Sequence, residues 1–286
     1  MQFPSKASSL CAATGLALIL SLPSSVWAEE PAASTESSCF NSTIASVPSR
    51  PTVTLATDTT QCGVVELEYG LERQWPGAGA NRDDLSGGLR LGITHNLDFH
   101  WYSGVFVHLM NSDGDRTGYG DNWLGLRYRF LSQTRHRPSL ALFYEAKIPS
   151  ASALEGLGSG EVDHSISFLA SKDIGKVHFD FNLIELLAGR TSAPGVDHNS
   201  GFALATWLPL SRRFNVVVEP YGYAPLNPEN PAWASTTLGF NCKVRPRLYL
   251  DTGLDVGVTH HYAPQKRVFV GITYAIANMF LWLKPK

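Results

Sequence analysis

From Gly63 onward the chain alternates apolar and polar side chains with a period of two, in stretches of about ten residues, and no other feature limits its fold as strongly. Val65, Leu67, Tyr69 and Leu71 alternate with Glu66, Glu68, Gly70 and Glu72; Leu89, Leu91 and Ile93 alternate with Gly88, Arg90, Gly92 and Thr94. Leu97, Phe99, Trp101, Val105 and Val107 interleave with Asp98, His100, Tyr102, Gly104 and His108, and similar runs surround Leu126 and Leu250. In an extended chain successive side chains point to opposite faces, so each run is a strand with one apolar and one polar face. A helical repeat of 3.6 fits none of them. The alternation predicts about twelve strands, near residues 64–73, 85–94, 97–109, 120–131, 138–149, 162–171, 176–187, 200–209, 213–224, 233–242, 246–258 and 267–276. Tight connections at 95–96 and around Gln133, Gly175, Ser211 and Arg245 take turns with longer ones at 74–84, 110–119, 150–161, 188–199, 225–232 and 259–266. An even strand count, ten-residue strands and alternating short turns and long loops predict an all-β fold. Its class is a transmembrane antiparallel β-barrel of the outer-membrane type.

Composition separates this barrel from a secreted sandwich or jelly roll, whose strands alternate equally well. Charged residues make up 17% of the chain, against roughly 25% in soluble domains. Aromatic residues gather near strand ends: Trp101, Tyr128, Phe130, Trp207 and Phe214 toward the short turns, and Trp123, Tyr223 and Trp233 toward the long loops. Two interfacial girdles would use aromatics in this way, whereas a sandwich would draw them into its core. A formal charge of -2 and the absence of like-charge blocks leave no polybasic surface for nucleic acid.

The first residues set the compartment. Lys6, the apolar run from Leu10 to Leu22, and Val26-Trp27-Ala28 before Glu29-Glu30 read as a secretory signal peptide over 1–28. Residues 29–62 are rich in Ser, Thr, Pro and Ala and poor in large apolar side chains, and they are expected to form a flexible lead-in. The barrel is then expected over 63–276, with a C-terminal tail at 277–286. Of the four cysteines, no two form a C-x-x-C. Cys39 and Cys62 flank most of the lead-in, where an oxidising compartment would allow a disulfide, and Cys242 is the odd thiol, buried or lipid-facing.

Any chemistry lies on the polar face. Projecting the alternation inward gathers Glu66, Glu68, Arg90, His100, Arg127, Arg129, Glu145, Lys147, His178, Asp180, Glu219 and Asp251, with both signs in similar number. Two roles fit this set: a solute path for a small polar or amphipathic compound, or an ion-pair network that fills a narrow barrel. Arg127, Arg129, Glu145 and Lys147 share polar-face parity across one short turn, and the expectation is that they pair with one another. Gly125→Ser, on the same face, is expected to be mild beside Leu126→Arg. Asn111, Asp113 and Asp115 have calcium-loop spacing, but Arg116 stands where the turn glycine is needed. His260 and His261 offer metal ligands, and His164 beside Ser165 offers a nucleophile and base, although adjacent strand residues face opposite ways. Gly158-Ser159-Gly160 lacks the lysine of a phosphate loop. The sequence therefore assigns no catalytic residue, metal or cofactor.

Several segments also resemble the outer-membrane transporter family named for the meta-pathway of phenol degradation. They are Gly118-Tyr119-Gly120-Asp121 followed by Leu124-Gly125-Leu126-Arg127-Tyr128; Glu145-Ala146-Lys147-Ile148-Pro149-Ser150; Leu157-Gly158-Ser159-Gly160; His178, Asp180 and Asn182; and Glu219-Pro220-Tyr221-Gly222. The chain departs from the barrel pattern after Ala275, where Asn278 to Lys286 replace a terminal aromatic. The resemblance implies a transporter or channel for small hydrophobic or aromatic compounds in the outer membrane of a Gram-negative bacterium. Membrane lipid, a small solute and the barrel-assembly machinery are its expected partners, and nucleic acid is not. A lipid-hydrolysing barrel enzyme and a closed structural barrel are the alternatives.

Overall fold

A computed structural model describes residues 39–76, 80–191, 194–226, 231–259 and 264–283. The expected signal peptide, residues 29–38 of the lead-in, and the His260-His261 pair lie outside the described residues. Thirteen strands run in chain order: β1 Val64–Pro76, β2 Asn81–Gly92, β3 Leu97–Met110, β4 Arg116–Gly118, β5 Asn122–Leu131, β6 Ser139–Ile148 and β7 Asp163–Ile174. β8 Val177–Gly189, β9 Val196–Pro209, β10 Phe214–Tyr223, β11 Trp233–Arg245, β12 Leu248–Gly257 and β13 Pro264–Asn278 follow. Every pairing between strands is antiparallel, and β13 closes the sheet on β1. β4 is a three-residue strand that pairs with β3 beyond the end of β5, so the closed wall has twelve staves.

Period-two patterning decides which face each residue takes. Leu126, Leu183, Leu250 and Val270 are about half exposed on the outer wall, where a bilayer would cover them. Their neighbours Arg127, Asn182, Asp251 and Gly271 face the lumen. The alternation breaks at a bulge between Leu85 and Ser86 of β2, opposite Val105 of β3. One extra residue reverses the parity beyond it. Val107 therefore turns inward and is fully buried, while Phe106 is exposed outside.

The girdles are only half as expected. Tyr128, Phe130 and Phe214 are exposed on the outer wall near the short turns. Trp207, however, sits opposite inward-facing His178 and donates its indole N–H to Asp180 at 3.2 Å. Trp123 pairs with Lys147, and Trp233 packs edge-on against buried Tyr221 and beside Tyr223. All four of these aromatics, Trp207, Trp123, Tyr223 and Trp233, have lumen parity; closeness to a strand end did not determine the face.

The largest departure from the sequence expectation is the lead-in. Residues 39–62 do not trail away as a flexible segment; they enter the barrel from the short-turn end and cross its lumen. Cys39 and Cys62 are joined in a disulfide, which ties the two ends of the segment together where it meets β1. Cys242, in contrast, has outward parity on β11. The tail is also tied in. β13 runs on to Asn278, whose side-chain amide donates to the carbonyls of Cys39 at 2.8 Å and Asn41 at 3.0 Å. A short 3-10 helix, Met279–Leu283, brings Phe280 to 6.4 Å from Phe40.

Candidate functional site

The lumen is built from the inward residues of each strand together with the segment that crosses it. Backbone N–H groups of that segment have left water, and each needs an acceptor. The wall supplies them in succession. Glu66 accepts from Val47 at 2.7 Å, and Glu68 from Ser49 at 3.0 Å and Arg50 at 2.7 Å. Glu219 accepts from Val53 at 3.0 Å and Thr54 at 2.6 Å, and also from the Thr54 hydroxyl. Asn182 accepts from Leu55 at 2.7 Å and returns a bond to its carbonyl at 2.8 Å. The Ser171 hydroxyl oxygen accepts from Thr57 at 2.8 Å, and Asp98 from Thr60 at 2.7 Å. Arginines serve the carbonyls: Arg90 donates to Val47 at 2.6 Å and Arg127 to Ala56 at 3.0 Å. Leu55 adds an apolar contact with Ala141, Phe143 and Leu169.

The inward charges therefore form a clamp as well as a wall. Arg90, fully buried, pairs with Glu66 and lies 3.3 Å from Glu68. Arg127 holds Asp98 through two nitrogens at 2.6 and 3.1 Å, and His100 lies 3.1 Å from the same carboxylate. Arg50 of the crossing segment reaches Asp251 at 3.3 Å. Arg129, nearer the short turns, binds Asp58 at 2.7 Å. His178 lies between Asp173 and Asp180, with contacts of 2.6 and 3.0 Å. Lys147 pairs with Asp163 and lies 3.8 Å from Asp121. Glu145 is half-buried opposite Ser165.

These partners correct the expected cluster of Arg127, Arg129, Glu145 and Lys147. The register across β5 and β6 sets Arg127 opposite Phe143 and Arg129 opposite Ala141, whereas Glu145 faces Gly125 and Lys147 faces Trp123. In an antiparallel pair, residues further from the turn on one strand meet residues further from it on the other. The two arginines lie near the turn and the other pair far from it, so shared parity put the four on one face without putting them in contact.

The sequence reading also missed several members of the site. Asp84, Asp98, Tyr102, Asp163, Asn182, Asp255 and Arg267 are on the inner face. Arg267 joins Asp255 at 3.1 Å to Glu72 at 3.3 Å, and Tyr221 donates to Asp255 at 2.5 Å. Parity alone would have found Asp84, Asp98, Tyr102, Asn182 and Asp255, because each lies an even number of residues from a recognised inward position on its own strand, whereas Asp163 and Arg267 lie on β7 and β13, which supplied none of the twelve.

Among the described residues, a cavity lies on each side of the crossing segment. The one toward the short turns measures about 310 Å³ and is lined by Thr52, Thr54, His178, Trp207, Asn241 and Tyr249. The one toward the long loops measures about 510 Å³ and is lined by Arg50, Glu68, Asp84, Tyr102, Asp121 and Trp123 among others. Part of its roof is the β6-β7 loop. There Leu157 is buried against Gly118, and Ser159 accepts from Lys147 at 2.6 Å. Gly158-Ser159-Gly160 thus belongs to a folded loop that reaches the lumen wall.

The remaining constellations have other uses. His164 points outward and bonds the Tyr144 hydroxyl at 2.8 Å, while Ser165 is buried on the inner face, so the two do not form a nucleophile and base. Asp113 binds Arg116 at 3.2 Å, and Asp115 lies 3.6 Å from His108.

No family model matches the chain, and no curated protein matches it by sequence. Solved structures match the fold. An outer membrane channel from Pseudomonas putida F1 aligns over 77% of this chain and 98% of its own, with a TM-score of 0.59 and 14% identity. The NanC porin aligns over 74% of this chain and all of its own, with a TM-score of 0.51 and 9% identity. At such identities the likeness is one of fold, and it places the chain's architecture among the outer-membrane β-barrels.

Proposed function

We propose that the protein is an outer-membrane channel for small solutes, and that the segment over residues 47–60 acts as an internal plug controlling passage. One observation carries this reading: a single segment without helix or strand separates two cavities, held to the wall mainly through polar contacts to side chains of at least seven strands. A fold that only needed filling would be served by apolar side chains, which cost less to bury than charges. Hydrogen bonds to carboxylates can be exchanged for bonds to water, so such a plug can be rearranged without exposing an apolar core.

In this reading the short turns face the periplasm, the long loops face outward, and an exported chain reaches this membrane through the barrel-assembly machinery. The twelve inward residues named from the sequence then act as plug holders and as lining of the solute path. Glu66, Glu68, Arg90, Arg127, Glu219 and Asp251 take the first role, and His178, Asp180 and Lys147 border the path. The solute class implied by the family resemblance, hydrophobic or aromatic, finds support in Trp207 and Tyr249 of the inner cavity. The charged outer cavity favours a solute that also carries polar groups.

Planar-bilayer recording tests the proposal on the full chain and on a Glu68→Ala/Glu219→Ala variant that loses two of the plug's holders. Small conductance steps for the native protein and larger ones for the variant are expected. If a further variant with residues 47–57 replaced by a short Gly/Ser linker folds yet never conducts, the closed structural barrel is the better reading. Release of fatty acid from added phospholipid would favour the barrel enzyme.

A further inference from the structure

We infer that the outer cavity is a binding site for a small zwitterion whose carboxylate meets Arg50 and whose ammonium meets Asp84. The inference deepens the channel reading and rests on it only for the solute's way in.

It follows from accounting for the charged groups around the cavity. Glu68 is saturated by the N–H groups of Ser49 and Arg50 and the hydroxyls of Tyr102 and Thr273. Glu72 takes bonds from Gln74 and Arg267. Asp121 accepts from the backbone of Ser150 and Ala151 on one oxygen and faces Lys147 at 3.8 Å with the other, and Lys147 also holds Asp163 and Ser159. Arg82 stands at the rim, more than a third exposed. Among the described residues around the cavity, Arg50 and Asp84 each keep hydrogen-bonding atoms with no partner.

The first is Arg50, the one residue of the crossing segment that lines this cavity. Its Nε faces Asp251, and among the described residues neither Nη donates a hydrogen bond. Its guanidinium lies so close to Gly70 and Gly271 that a Cβ on either would come within 2.3 Å of it. Those glycines are the space through which the side chain passes along the wall into the cavity. The second is Asp84, only 3% exposed, whose Oδ2 accepts from Arg82 while Oδ1 has no partner. A buried carboxylate oxygen without a donor is rare and calls for one from outside the protein.

One cationic donor and one anionic acceptor on a shared cavity match a ligand carrying both charges, whereas a simple anion would meet Asp84 and a simple cation Arg50. The register supplies the spacing. Asp84 pairs with Glu72, two residues beyond Gly70 on the same face of β1. One two-residue step combined with one strand spacing separates the two groups by about 8 Å. A hydrogen bond of about 3 Å at each end leaves about 2 to 3 Å between the ligand's own charged atoms, so an α-amino acid such as glycine fits the gap and a spacer of three methylenes is too long.

The test is saturation-transfer NMR on the detergent-solubilised full chain, which reads binding whether or not the barrel conducts. The probes are glycine, acetate, methylammonium and 4-aminobutyrate. Transfer to glycine well above the other three is expected, with affinity falling about tenfold or more in both Arg50→Met and Asp84→Asn. Asp84→Asn does not touch the crossing segment and so separates ligand contact from damage to the plug. Equal transfer to acetate or 4-aminobutyrate, or a loss in only one variant, overturns the two-point site. A silent bilayer with intact glycine binding would instead overturn the channel and leave the site standing.

Discussion

The outer and inner faces of this barrel are made by the same strands, yet they obey different rules. Outside, Leu126, Leu250 and Val270 meet a continuous apolar medium, and any apolar residue of suitable size serves. Inside, each position has a particular partner: Arg90 has Glu66, Arg127 has Asp98, and Glu219 has the backbone of Val53 and Thr54. The outer face depends on composition and the inner face on arrangement. Substitutions should accordingly be forgiven outside when they stay apolar, and punished inside even when they are chemically close.

The sharpest test of that contrast is Arg90→Met, which keeps the side chain's length and removes its charge. Glu66 and Glu68 would then be buried without their cation, a cost of about 3 to 5 kcal/mol. Urea unfolding in vesicles should show it, and a loss below about 1 kcal/mol would mean that the inner ion pairs are dispensable. Leu126→Arg and Leu250→Arg come next, at roughly 2 to 4 kcal/mol if the positions lie near the bilayer midplane. The same residues changed to Val or Ile should be nearly neutral.

Gly125→Ser sharpens the comparison further, because the sequence alone makes it a mild change. In the structure a Cβ at Gly125 would lie 2.7 Å from the Phe143 ring and 3.2 Å from the Tyr144 carbonyl oxygen. Crowding of this kind costs about 1 to 3 kcal/mol, which heat-modifiable gel migration should register as a lower melting temperature. Glu219→Gln is expected to cost roughly 1 to 2 kcal/mol, since a neutral acceptor replaces a charged one. Its main effect should be on conductance, through looser holding of residues 53–54. Glu161→Ala, on the loop before β7, should stay within about 0.5 kcal/mol and leave conductance unchanged; a clear effect there would mean that the loop carries more of the closure than the plug.

All twelve staves were legible in the sequence, as were the inward positions of Glu66, Glu68, Arg90, Arg127 and Glu219, because facing is a local property of an extended chain. A residue's side of the sheet is set by its count from its neighbours, and only a bulge such as that at Val105 resets the count. What fills the barrel is not local. Thr54 bonds Glu219 across 165 residues, and Leu55 bonds Asn182 across 127. Residues 39–62 have too few large apolar side chains to fold on their own account, so they read as a solvated lead-in. Their order comes from acceptors that exist only once the barrel has closed. Sequence by itself therefore determined a twelve-stranded barrel with an apolar exterior and a charged interior. Only the tertiary structure decided that the interior charges hold a plug, because hydrogen bonds between distant residues depend on register and closure, which no stretch of ten residues contains.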